Sequence, residues 1–93
     1  MAGGVSVERA AVEGGIKCCQ ASIQELTKSS QLLRRNYQQA GSNGWKDQKY
    51  TALGNIVDEC CGALDKPVTE LEGCIEKLRK LLGAVGSYEE VKL

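Results

Sequence analysis

From Val12 to Ala40 the apolar residues advance in steps of four, three, four and three. They are Val12, Ile16, Cys19, Ile23, Leu26, Leu33, Tyr37 and Ala40, with Ser30 as the one polar member of the series. That spacing places a single seam along one face of a long helix and leaves no β alternation to compete with it. With Ile16, Ile23, Ser30 and Tyr37 at heptad position a, the d positions are Val5, Val12, Cys19, Leu26, Leu33 and Ala40. Lys17, Gln20, Gln24, Glu25, Lys28, Arg34 and Arg35 fall between them and stay in water. Gly14 and Gly15 weaken the first turns, since a glycine in a helix costs about 1 kcal/mol relative to alanine.

A second stripe is broader. Val57, Leu64, Leu71, Leu78 and Val85 recur every seven residues, with Leu53, Cys60, Pro67, Cys74 and Leu81 offset by three. A third row, Cys61, Val68, Ile75 and Leu82, lies beside them. Three rows cover a wider face than a two-stranded seam requires, which implies a further partner. The heptad phase is unbroken from Leu64 to Leu71, so Pro67 is expected to kink one continuous helix rather than end it. A restart capped by Asp65 is the alternative.

Between the stripes lies Ala40-Gly41-Ser42-Asn43-Gly44-Trp45, the strongest turn signal in the chain. Gly41 can close the first helix in a left-handed conformation. Ser42 or Asn43 can cap the second, with Asp47 in its first turn. The expectation is an all-α chain forming one antiparallel helix-turn-helix hairpin: helix 1 over about 5–40, a turn at 41–44, helix 2 over about 45–86 and a tail at 87–93. Two long helices alone bury little surface, so the hairpin is expected to pair into a four-helix bundle. The residues assigned to that dimer or partner interface are Ile16, Ile23, Leu26, Leu33, Val57, Leu64, Val68, Leu71, Ile75, Leu78 and Leu82. Residues 1–43 carry a formal charge of +2 and 44–93 carry −2, a weak attraction between antiparallel halves.

Composition narrows the chemistry. Ninety-three residues hold one domain, with 12 basic and 12 acidic side chains and no histidine. A balanced charge argues against a general nucleic-acid binder. The lack of histidine removes the commonest general base and metal ligand. No thiol or hydroxyl has a base in a recognisable arrangement with it, and no glycine pair leads into a phosphate loop. The chain is therefore expected to be non-enzymatic, with no catalytic residues, cofactor or metal. No apolar run is long enough to span a bilayer, so no membrane insertion is expected. The start lacks the features of a cleaved leader, which implies a chain that is cytoplasmic when made and leaves, if it leaves, by a leaderless route.

Five cysteines stand at 18, 19, 60, 61 and 74. Adjacent residues on a helix diverge by about 100°, so the two Cys-Cys pairs suit a metal poorly. Buried, structural thiols are the leading expectation, with an opportunistic disulfide and a metal as alternatives. Folding about residue 43 would set Cys60 beside Leu26 and Cys19 near Pro67. The pairs would then lie about 10 Å out of register, too far to bridge within one hairpin.

A helical hairpin of this length, with Gly44-Trp45-Lys46-Asp47 at its turn and Leu53 two turns on, resembles the WxG, or ESAT-like, proteins exported by type VII secretion in Gram-positive bacteria. Asp47 stands where the family motif has glycine, making this a W-x-D variant. The family's trailing export signal is a Tyr followed four residues on by an acidic residue. Tyr88 is followed by Glu89 and Glu90, with Lys92 at the fourth place. The resemblance implies an interaction protein secreted without a cleaved signal peptide. Its partner would be a second copy, a related hairpin or the helical N-terminal region of a larger effector. Tyr88, Glu89 and Glu90 would be its export signal, completed by the partner's residues where its own are missing. The competing expectation is a structural coiled-coil adaptor unrelated to secretion. A thiol-based redox or metal module on Cys18, Cys19, Cys60 and Cys61 is a third, requiring an antiparallel dimer to bring the pairs together.

Overall fold

A computed structural model of the chain describes the backbone of residues 2–92 and the side chains of 7–85. It consists of two helices, α1 (Ala2–Ser42) and α2 (Gln48–Lys92), packed against each other along their length, with no strand among the described residues. The molecule measures 69 × 16 × 13 Å, with a radius of gyration of 20.8 Å. A compact domain of this length has a radius near 13 Å. The chain is a rod.

The heptad rows explain the packing. In α1 the a and d residues from Val12 to Ala40 are all buried or half-buried, and their neighbours at b, c and f are exposed except for Gly14. In α2 the matching seam is Cys61, Val68, Ile75 and Leu82 at a, with Val57, Leu64, Leu71, Leu78 and Val85 at d. Every residue assigned from the sequence to a partner interface therefore lies in the seam between α1 and α2. Most of them are only half covered there. Among the described residues Ile16, Val57, Cys61 and Ile75 are the buried apolar side chains, and of these only Cys61 is fully enclosed.

Ser30 interrupts the apolar series without leaving an orphaned group. Its hydroxyl donates to Asp65 Oδ1 at 3.2 Å, and its carbonyl accepts the Cys61 thiol at 3.7 Å. Asp65 is thus a cross-helix acceptor, and α2 runs through Pro67 without a restart. Proline has no N–H to donate, so the Ala63 carbonyl lacks its usual helical partner at that point.

These contacts also correct the register. Cys61 faces Ser30, and Leu78 approaches Gly15, so Cys60 is not beside Leu26. The difference comes from the connection: α1 continues to Ser42 and α2 begins at Gln48, which moves the fold-back point beyond residue 43. The two Cys-Cys pairs are consequently further apart than the sequence register implied. Burial of the thiols holds for Cys61 alone; Cys19 is half-buried and Cys18, Cys60 and Cys74 are exposed and unbridged.

Candidate functional site

The turn is built from two interlocking caps. Trp45 N–H donates to the Ala40 carbonyl at 3.2 Å and Gly44 N–H to the Gly41 carbonyl at 3.0 Å. This pair is the Schellman closure of α1, which needs its C′ residue in the left-handed region. That residue is Gly44, with φ of 101°, and not Gly41. Asp47 then opens α2. One oxygen of its carboxylate accepts the backbone N–H groups of Lys49 at 2.9 Å and Tyr50 at 3.1 Å. Those are the second and third helical positions, so Asp47 is the N-cap in place of Ser42 or Asn43.

The same oxygen accepts the Trp45 indole N–H at 2.8 Å. Through one side-chain oxygen, which glycine lacks, Asp47 thus bonds both the first turn of α2 and the indole. Trp45 leans on Tyr50 with ring centroids 5.8 Å apart, and remains 41% exposed. It borders the end of the seam and does not seal it.

Beneath the indole, Tyr37 and Tyr50 stack face to face, 4.4 Å between centroids and 7° between planes. The Tyr50 hydroxyl donates to the Tyr37 carbonyl at 3.1 Å. Each ring lies over a glycine of the opposite helix. A Cβ at Gly41 would collide with the Tyr50 hydroxyl and lie 2.9 Å from its Cζ; one at Gly54 would lie 2.6 Å from the Tyr37 hydroxyl. Packing raises the Tyr50 phenol above its ordinary value, chiefly by desolvation and then through the hydrogen bond and charge of Tyr37. The sequence sets Tyr37 and Tyr50 at the same end and leaves Gly54 open to close approach, but the face-to-face stacking and the seat over Gly41 emerge only in three dimensions. The signal was present as Tyr37 and Gly41 four residues apart, with Tyr50 and Gly54 repeating that spacing in α2.

Along the rod the two flanks of the seam differ. Arg34 and Asp58, both at heptad position e, form an ion pair at 3.4 Å. This places the e rows of the two helices on one side: Glu13, Gln20, Thr27 and Arg34 beside Asp58, Asp65, Glu72 and Arg79. At its turn end this side holds an open cleft of about 280 Å³, bordered by Arg34, Tyr37 and Asp58. The opposite side carries the g rows. From Gly15 through Ser22 and Ser29 to Asn36, and from Leu53 to Leu81, neither g row contains a charge. The α2 row from Leu53 to Leu81 therefore borders the seam without entering it. Leu53 and Pro67 are half-buried, whereas Cys60, Cys74 and Leu81 are exposed, Leu81 by 51%. Ile56, on the adjacent c row, is 55% exposed.

Of the sequence-assigned residues, Gly44, Trp45 and Asp47 come together at the turn, and Leu53 starts the uncharged flank. The side chains of Tyr88, Glu89 and Glu90 lie outside the described residues. Among the described residues no group of three His, Cys, Asp or Glu side chains could hold a metal, and no helix is long and apolar enough to cross a membrane. No protein-family model, curated protein or solved structure matches the chain.

Proposed function

We propose that this chain is a non-enzymatic pairing protein of the WxG-like kind, which leaves the cell through type VII secretion joined to a helical partner. The observation that carries this reading is the rod-like hairpin folded at Gly44-Trp45-Lys46-Asp47, where the indole, the Asp47 cap and the Schellman closure fix one turn. The half-covered seam and uncharged flank support pairing, since a second hairpin would complete a four-helix bundle around them. In this reading Tyr88, Glu89 and Glu90 belong to an export signal presented at the far end of the rod, and the partner supplies what they lack.

Co-expression with neighbouring small helical proteins, followed by pull-down and by assay of the culture medium, tests the proposal. Export of the paired protein, lost on deletion of residues 87–93, is the expected result. Export unchanged by that deletion, whichever partner is present, would leave the second reading, a coiled-coil adaptor unrelated to secretion. The cross-helix Arg34–Asp58 pair favours that alternative, because such e-position pairs set helix partnering in any coiled coil.

A further inference from the structure

We propose that the partner on the uncharged flank is a second copy of this chain, docked antiparallel with its two-fold axis beside Cys74. This rests on the pairing function above and specifies the surface and the occupant.

The area comes first. The chain exposes 6926 Å², whereas a compact monomer of 10.0 kDa exposes about 5,200 Å². The excess of about 1,700 Å² exceeds the roughly 800 Å² that each partner contributes to a standard stable interface. One more hairpin on one flank is enough to account for it.

Charge selects the flank and the occupant. The e side carries six charges between Glu13 and Arg79, and apposing two such sides would need each to be matched. From Gly15 to Asn36 and from Leu53 to Leu81 the g rows carry none, Glu8 being the one charge beyond them. Next to the α2 g row, the c row holds two charges of opposite sign, Glu70 and Lys77, both exposed. They stand two helical turns apart, with Cys74 of the g row midway between them. Rotating α2 by 180° about an axis beside Cys74 therefore sets Glu70 of each copy opposite Lys77 of the other. The operation makes two ion pairs from one, and brings Leu81 against Pro67 of the partner copy. Such self-complementarity is what a two-fold interface demands. The same axis crosses α1 near Cys18, because Cys61 faces Ser30 and Leu78 approaches Gly15, so Gly15 and Ser22 are exchanged, small side chains meet small ones and the helices can approach. The shared stretch of α2 from Ala63 to Ala84 is about 30 Å long.

Three measurements test the geometry on the full chain. Sedimentation equilibrium of the wild-type protein should report twice the chain mass. A variant with Cys18, Cys19 and Cys60 replaced by serine keeps only Cys74 and the enclosed Cys61. Mild oxidation with copper-phenanthroline and oxygen should convert it to a dimer joined through Cys74, whereas the corresponding Cys60-only variant, with Cys61 also retained, stays uncrosslinked. Glu70→Lys or Lys77→Glu alone should weaken self-association about tenfold by setting like charges opposite each other, and the double swap should restore it. A chain that stays monomeric up to about 100 μM, or a dimer in which the double swap fails to rescue, overturns the proposal. Export tests the other reading separately. A monomer exported with a different hairpin overturns self-pairing only, and a Cys74-centred dimer that is never exported upholds self-pairing while overturning the secretion role.

Discussion

Glycine has two opposite effects in this chain, depending on what lies over it. At Gly41 and Gly54 an added methyl group meets a stacked tyrosine at less than van der Waals distance. Both rings are pinned by each other and by the Tyr50 hydroxyl bond, so neither can swing aside cheaply. Gly41→Ala and Gly54→Ala should each lower stability by about 1–3 kcal/mol, the usual cost of overpacking. Gly62 has nothing within 4 Å of an added Cβ, and Gly62→Ala should raise stability by about 0.5–1 kcal/mol through helix propensity alone. Urea denaturation of the three variants checks the contrast, and equal shifts would show that the tyrosines give way. Tyr50 adds a pH signature. Its folded-state pKa lies above the ordinary phenol value near 10, so the neutral form is favoured by folding. The resulting stabilisation is complete below pH 10 and is lost as pH climbs through the folded value. Absorbance at 295 nm should show one phenol titrating later than free tyrosine, and Tyr50→Phe should remove that late component.

At the level of the elements, the turn depends on a single carboxylate that serves two donors on the backbone and one on the indole. Asp47→Ala should cost about 1 kcal/mol for the lost cap, and the indole N–H should exchange faster with solvent. Asp47→Gly, which supplies the residue of the WxG motif, should cost only a few tenths for the cap yet give the same faster indole exchange. Hydrogen exchange by NMR with urea midpoints separates the two contributions. The helices themselves were legible in the sequence because a 3-4 spacing survives translation into three dimensions: each a and d residue from Val12 to Ala40 faces α2. The turn was legible only as a region. Gly41, expected to be the left-handed residue, and Ser42 or Asn43, expected to be the cap, give way to Gly44 and Asp47. The choice is made by closure of the Ala40 carbonyl onto Trp45 N–H, a bond that spacing alone does not reveal. Moving that closure shifted the pairing of α1 with α2, and with it the neighbours assigned to the cysteines. The Leu53–Leu81 row was visible too, but its place outside the two-helix seam follows only once Arg34 and Asp58 define the other flank.

For the whole molecule, the proportions decide more than any single contact. A rod 69 Å long with four buried apolar side chains among the described residues has almost all of those residues within one layer of water. The exposed Arg34–Asp58 pair contributes at most about 1 kcal/mol, so the balance against chain entropy rests on the apolar seam and on whatever covers its open sides. If folding and pairing are coupled, mass action makes the melting temperature depend on protein concentration. Raising the concentration 100-fold should therefore raise Tm by about 5–11 °C, since RT ln 100 is about 2.7 kcal/mol per dimer and a folded unit of that doubled length moves by about 2–4 °C per kcal/mol. Salt provides an independent check on which surface is involved. Pairing through the uncharged g rows, with only the Glu70 and Lys77 contacts at its edge, should keep most of its strength at 1 M salt, where the Debye length is about 3 Å. Pairing through the charged e rows would instead weaken steeply with salt, and circular dichroism melts at two concentrations and two ionic strengths tell the two arrangements apart.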